Sequence, residues 1–150
     1  MAVMKTSSWF TKLPEDHVRI GISRGTPRAQ RQPYRNYRQL TPGPWFKTCA
    51  TPQECVRLYY REVLSKLDPR GVVASLCTMA GAGIPTLLCW EAPPPNEAWC
   101  HRALVSAWLY DELGLEVPEF GHEELGHGWQ HRKLHPSLMQ PISSLSDARF

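Results

Sequence analysis

A chain of 150 residues fits one domain and is long enough to bury a single core. An apolar content of 42% with 21% charged residues excludes a disordered chain, and no segment approaches the roughly 18 consecutive apolar residues of a membrane span. The net charge of +3 is uneven, because residues 1–47 hold nine of the 17 Lys and Arg but only two of the 14 acids. The resulting balance of +7 can attract phosphate, as nucleotide or nucleic acid, although composition alone favours a solvated arginine-rich loop.

The start of the chain and its cysteines indicate the compartment. The first residues lack a basic region followed by an apolar block, so the sequence predicts no signal peptide and a cytoplasmic protein. The five cysteines are an odd number and lack the close spacing of a disulfide-rich domain. They therefore favour reduced thiols over a disulfide scaffold.

The first half of the chain predicts one strand, a long irregular segment and two helices. The residues HVRIGIS (17–23) are rich in β-branched side chains and predict a strand. The glycines and prolines that follow exclude a long regular element before residue 50. A helix is expected from Thr51, which can cap it, with Pro52 at its first position. Asp68 and Pro69 repeat that signal for a helix over about 69–80.

The second half predicts a buried strand, a helix and an irregular tail. The run 84–90 is almost wholly apolar, as in a strand covered on both faces. Asn96 can cap a helix over 97–113, and LEVPEF can add a short strand. This order of elements predicts an α/β domain with a mostly parallel sheet flanked by helices over 1–120. Residues 121–150 are expected to form an irregular tail that packs on the domain or trails from it.

Both predicted strands end in residues suited to hold a ligand. In open α/β sheets ligands bind beyond the carboxyl ends of the strands. The first strand ends at Ser23 and Arg24, and the second ends at Trp90 and Glu91. The next helix presents its N-terminus to the same edge, where two of its side chains, His101 and Arg102, can reach back. The pattern predicts an anion pocket with one acid, Glu91, at its rim.

Packing explains several of these residues as well. Cys89 ends an apolar strand, where buried cysteine is common, and core packing is the better interpretation of Trp90. The position of Cys100 fits either a reactive thiolate near a helix N-terminus or a buried residue on the apolar face of the helix. Glu91 is costly to bury alone and is expected to pair with Arg24 or Arg102.

No metal or other cofactor is expected. Cys89, Cys100 and His101 are possible zinc ligands, but the paired C-x-x-C spacing of structural zinc sites is missing. Neighbouring residues on a helix point about 100° apart, which disfavours joint ligation by Cys100 and His101.

Two motifs resemble a known family. The arginine and proline after the first strand (Arg24, Pro27), the L-x-C-x-E motif ending at Glu91 and the C-H-R motif at 100–102 resemble the uncharacterised "domain of unknown function 488" family. The resemblance covers roughly residues 17–113 and implies a small Rossmann-like α/β fold without a settled activity.

We therefore expect a small α/β protein that binds a phosphate-bearing ligand, either a nucleotide or a nucleic-acid end, with possible hydrolase or transferase activity. Glu91, Cys100 and His101 are the candidate catalytic residues. The candidate ligand-binding residues are Ser23, Arg24, Trp90 and Arg102. A nucleic-acid-binding module without catalysis is the first alternative, and a thiol- or zinc-dependent protein is the second.

Overall fold

The computed structural model describes residues 3–94 and 98–139. Within them lies a four-stranded parallel sheet in the order β1-β4-β2-β3. The strands are β1 (Lys5–Ser8), β2 (His17–Gly21), β3 (Arg35–Asn36) and β4 (Ile84–Cys89), and the helices are α1 (Pro52–Glu62), α2 (Pro69–Ala80) and α3 (His101–Leu113). The predicted α/β class with a parallel sheet is confirmed. No helix in the described ranges is long and apolar enough to cross a bilayer.

The first two helices begin where the sequence predicts. The Thr51 hydroxyl accepts a hydrogen bond from the Glu54 N–H at 3.1 Å and caps α1. The Asp68 carboxylate caps α2 in the same way. Helix α1 ends at Glu62, and a 3-10 turn over Leu64–Lys66 follows it.

Strand β1 was not predicted. Its sequence KTSS lacks the apolar alternation typical of strands, yet Thr6, Ser7 and Ser8 are fully buried. It pairs with β4, so that Ser8 lies opposite Cys89. The expected strand in LEVPEF is reduced to one bridge between Thr6 and Glu119.

Helix α3 begins at His101, and the prediction of a start at residue 97 is wrong. Cys100 is its N-cap and has extended backbone angles, φ −147° and ψ 151°. The Cys100 N–H donates to the Lys133 carbonyl at 2.8 Å, which holds this residue outside the helix. The proposed cap, Asn96, lies outside the described residues.

The end of the chain packs on α3 as far as the structure describes it. Residues 121–139 form three short 3-10 turns, and His131, Lys133 and Leu134 are buried. Every side chain of α3 from His101 to Leu109 is buried as well. This helix therefore lies in the core, between the sheet and the C-terminal turns.

Two of the five cysteines form a disulfide, which corrects the expectation that all are reduced. Cys49, which precedes α1, is bonded to Cys55 in its first turns, with the Cα atoms 5.5 Å apart. Cys77, Cys89 and Cys100 are free thiols.

Candidate functional site

The carboxyl ends of three strands meet at one edge of the sheet. The register pairs Gly21 of β2 with Leu88, and the β1 residue Ser8 with Cys89. Two tryptophans fix the loops beyond this edge. The Trp9 Nε1–H donates to the Ser23 hydroxyl at 2.9 Å, and the Trp90 Nε1–H donates to the Gly25 carbonyl at 2.8 Å.

A pocket of about 430 Å³ opens at this edge, and we call it the carboxyl-end pocket. Its lining is Ser23, Arg24, Gly25, Pro42, Phe46, Lys47, Trp90, Glu91 and His101. Five of the seven predicted site residues are therefore brought together here. The other two, Cys100 and Arg102, are buried and do not line the pocket. Sequence reasoning missed Lys47, which follows a segment that has no strand or helix pattern to place it.

Below the pocket lies a cluster of Cys89, Cys100 and His101, which we call the thiol–imidazole cluster. One potential ligand atom from each residue lies within 4.8 Å of the other two. The Cys89 sulfur is 3.7 Å from His101 Nδ1, and the Cys100 sulfur is 3.8 Å from the same nitrogen. Cys100 and His101 do not diverge as predicted for neighbours on a helix, because Cys100 precedes the helix.

The two thiols of the cluster differ in acidity. Burial raises the pKa of Cys89 well above its usual value, and its hydrogen bond with Cys100 raises the pKa further. Burial acts in the same direction on Cys100. Its net pKa is nevertheless well below the usual value, because the Cys89 hydrogen bond, Arg102 and His101 all stabilise the thiolate.

Glu91 is a half-buried acid at the pocket wall. Burial, followed by the charge and hydrogen bond of Cys100, raises the pKa of its carboxyl to about 7. A carboxyl group with this pKa exchanges its proton near neutrality, as general acids and bases do.

The expected ion pair between Glu91 and Arg102 is not formed. The Arg102 guanidinium instead makes two hydrogen bonds to Glu119, at 2.9 and 2.6 Å, and both side chains are buried. Glu91 contributes only its backbone carbonyl, which accepts from Arg102 Nη1 at 2.8 Å. The anions around it outweigh burial and raise the pKa of Arg102.

Glu119 connects this ion pair to a buried histidine. The Thr6 hydroxyl donates to Glu119 Oε1 at 2.7 Å and lies 2.7 Å from His131 Nε2. His131 Nδ1 accepts from the Lys133 N–H, so the Nε2 atom carries the proton and donates to Thr6. Burial lowers the pKa of His131 to about 4, and the ring is neutral at pH 7. Sequence reasoning missed this network because its members come from three distant segments.

The arginines of the 24–38 segment are exposed: Arg24, Arg28, Arg31, Arg35 and Arg38. None forms an ion pair with an acid in the described part of the chain. The acids Glu119 and Glu123 pair instead with Arg102 and Lys5. A second cavity, of about 750 Å³, is lined in part by Arg19, Tyr34 and Arg35.

Comparison with protein-family models, with curated proteins and with solved structures found no match, so the resemblance to the "domain of unknown function 488" family stays a prediction. The carboxyl-end pocket offers two cationic side chains, an exposed indole, a carboxyl group and an imidazole above two thiols. These groups can bind an anion and transfer a proton at the same place.

Proposed function

We propose that the protein binds a phosphate-bearing ligand, a nucleotide or a nucleic-acid end, in the carboxyl-end pocket and acts on it as a hydrolase or transferase. The observation that carries the proposal is the meeting of Arg24 and Lys47 with Glu91 and His101 in one pocket. Cations that face an acid and an imidazole across a cavity combine anion binding with proton transfer.

The size and walls of the pocket support a nucleotide. A volume of about 430 Å³ lies in the range of pockets that enclose small molecules. Trp90 is 46% exposed, and its N–H bond to Gly25 fixes the ring at the rim. The exposed Phe10 packs edge-on against Trp90 with ring centroids 6.0 Å apart. An exposed indole held in place is suited to stack on a base.

Each polar residue has a separate role in this proposal. Arg24 and Lys47 hold the phosphate, and the Ser23 hydroxyl, which is fixed by Trp9, lies at the same rim. Glu91 transfers the proton. The imidazole of His101 is held by the Ile22 carbonyl, which lies 2.8 Å from Nε2. Arg102 does not touch the ligand; it positions the loop through the Glu91 carbonyl.

A nucleic-acid-binding module without catalysis is the second candidate, and the unpaired arginines favour it. Five exposed guanidinium groups without described acidic partners are suited to follow a phosphate backbone. Tyr34 lies among them and is partly exposed, as is typical of surfaces that hold single strands.

Calorimetric titration with a panel of nucleoside mono- and diphosphates tests the binding. We expect Arg24→Ala and Lys47→Ala each to weaken binding by about tenfold, a loss of one charged hydrogen bond. Arg70→Ala removes an exposed charge outside the pocket and serves as the matched control. Equal binding by all three variants would place the ligand elsewhere.

The Glu91→Gln variant tests catalysis. The Arg102 bond uses the backbone carbonyl of residue 91, so this substitution leaves the buried ion pair intact. We expect an unchanged melting temperature, retained nucleotide binding and loss of turnover in hydrolysis and transfer assays. Unchanged turnover would exclude the catalytic role, and no turnover by the wild-type protein would favour the binding module.

A further inference from the structure

The thiol–imidazole cluster has the residue types and spacing of a metal site. A tetrahedral zinc ion with Zn–S bonds of about 2.3 Å and a Zn–N bond of about 2.0 Å separates sulfur from nitrogen by about 3.5 Å. The two sulfurs of the cluster lie 3.7 and 3.8 Å from His101 Nδ1. All three potential ligand atoms lie within 4.8 Å of one another. An ion can therefore be shared among them after small side-chain adjustments.

The imidazole of His101 is oriented for ligation. Its Nε2 atom lies 2.8 Å from the Ile22 carbonyl oxygen, which can only accept a hydrogen bond. Nε2 therefore carries the ring proton, and the lone pair is on Nδ1, which lies 3.7 Å from the Cys89 sulfur and 3.8 Å from the Cys100 sulfur. Metal-binding histidines commonly donate their second N–H to a backbone carbonyl in this way. Cys89 Sγ is also 3.6 Å from Nε2, so ligation through Nδ1 requires this thiol to move toward the Nδ1 lone pair.

We propose that Cys89, Cys100 and His101 bind one zinc ion at the floor of the carboxyl-end pocket, with the fourth position open to water or ligand. Three protein ligands with an open position are typical of catalytic zinc sites. Two soft thiolates and an imidazole select zinc over magnesium or calcium. His101 belongs to both the cluster and the pocket lining, which directs the open position toward the pocket.

The charges around the cluster are compatible with a dithiolate site. Two thiolates and a zinc ion have no net charge, so the buried ion need not be balanced by a further acid. Arg102 lies close enough to stabilise thiolates, and its own charge is matched by Glu119. Glu91 lines the carboxyl-end pocket together with His101. It is placed to accept a proton from water bound at the open position, a role that rests on the proposed function.

Zinc and cobalt titrations of the full-length protein test the proposal. Native mass spectrometry is expected to show one zinc per chain. Cobalt(II) is expected to give thiolate charge-transfer absorption with the visible bands of a four-coordinate ion. Cys89→Ser and Cys100→Ser should each weaken zinc binding by at least about 10–100-fold, the loss that follows removal of a residue that only hydrogen-bonds a metal ligand. Cys77→Ser removes the free thiol outside the cluster and is the matched control.

Several outcomes would overturn the proposal. These are a wild-type protein that binds less than one zinc, a cobalt spectrum without thiolate bands, or a Cys100→Ser variant with undiminished affinity. If the serine variants do not fold, His101→Asn leaves both thiols in place and must still lower the affinity. Zinc binding and nucleotide binding are measured separately. Failure of one therefore leaves the result of the other standing.

Discussion

The guanidinium of Arg102 and the carboxylate of Glu119 form a two-pronged ion pair from which water is excluded. The exposed fractions of the two side chains are 0% and 1%, and the bonds are 2.9 and 2.6 Å long. Arg102 also holds the loop after β4 through the Glu91 carbonyl. The stability of the core and the position of the pocket wall therefore depend on the same side chain.

Removing the charge of Glu119 should be costly. Glu119→Gln leaves Arg102 buried without its counter-charge, and we expect the free energy of unfolding to fall by about 3–5 kcal/mol. The exposed acid Glu123, which pairs with Lys5, provides the control: Glu123→Gln should cost less than about 1 kcal/mol. Urea denaturation measures the unfolding free energies of both variants. Similar losses would show that the buried ion pair contributes no more to stability than the exposed one.

The stability of the protein should depend on pH through His131. Its pKa is about 4 when folded, against about 6.5 in an unfolded chain. Between these values the unfolded chain binds a proton that the folded chain does not. Stability is therefore fully present above pH ~6.5 and is lost as the pH falls, by roughly 3 kcal/mol near pH 4.

Comparison with His131→Gln isolates this contribution, because other groups titrate over the same range. The difference between the wild-type and variant unfolding free energies should shrink as the pH falls from 7 to 4. The control His122→Gln, at a partly exposed position, should follow the wild-type curve. A difference that stays constant with pH would contradict a neutral buried imidazole.

Salt dependence should distinguish a nucleotide from a nucleic-acid strand. Each phosphate contacted by a single-stranded oligonucleotide contributes a slope of about −0.7 in log affinity against log salt. Replacing Arg31, Arg35 and Arg38 with alanine should reduce the slope for an oligonucleotide by about 2. Mononucleotide binding should be unchanged. An oligonucleotide that the wild-type protein binds no more tightly than a mononucleotide would restrict the ligand to the pocket.

Gly21 is required by the packing of Trp9. A Cβ atom on residue 21 would lie 2.2 Å from Cζ2 of the Trp9 ring, so Gly21→Ala must displace the indole. We expect a loss of about 1–3 kcal/mol in stability and a change in tryptophan fluorescence. Gly25→Ala is the matched control, because its Cβ would meet no atom within 4 Å. Equal stability of the two variants would show that the Trp9 indole can move aside without loss of stability.

The sequence was informative for the fold where local signals are strong. The caps Thr51 and Asp68 and the apolar run of β4 predicted three elements, because each signal lies within a few residues of the element it defines. Strand β1 was missed because its buried residues are hydroxyl side chains, which alternation cannot identify. The start of α3 was missed because the bond from Cys100 to Lys133 spans distant segments.

For the candidate site, the strand-end rule correctly grouped Ser23, Arg24, Trp90 and Glu91, since parallel strands end at one edge. It could not identify the partner of Arg102. Glu119 lies in the LEVPEF segment, far from β1 in the sequence, and only the bridge to Thr6 brings it to the buried guanidinium. Lys47 was missed for a similar reason, because its position depends on an irregular segment.

The strand order has a consequence for how the molecule folds. β1 and β2 are near in sequence but are separated in the sheet by β4, which begins at residue 84. The two N-terminal strands therefore lack their common neighbour in the sheet until residues 84–89 have been synthesised. The hydrogen bond from the Cys100 N–H to the Lys133 carbonyl delays completion of the domain further. Such long-range pairing slows folding. A nascent chain released early would expose the two N-terminal strands without β4, and with them unpaired edges that can aggregate.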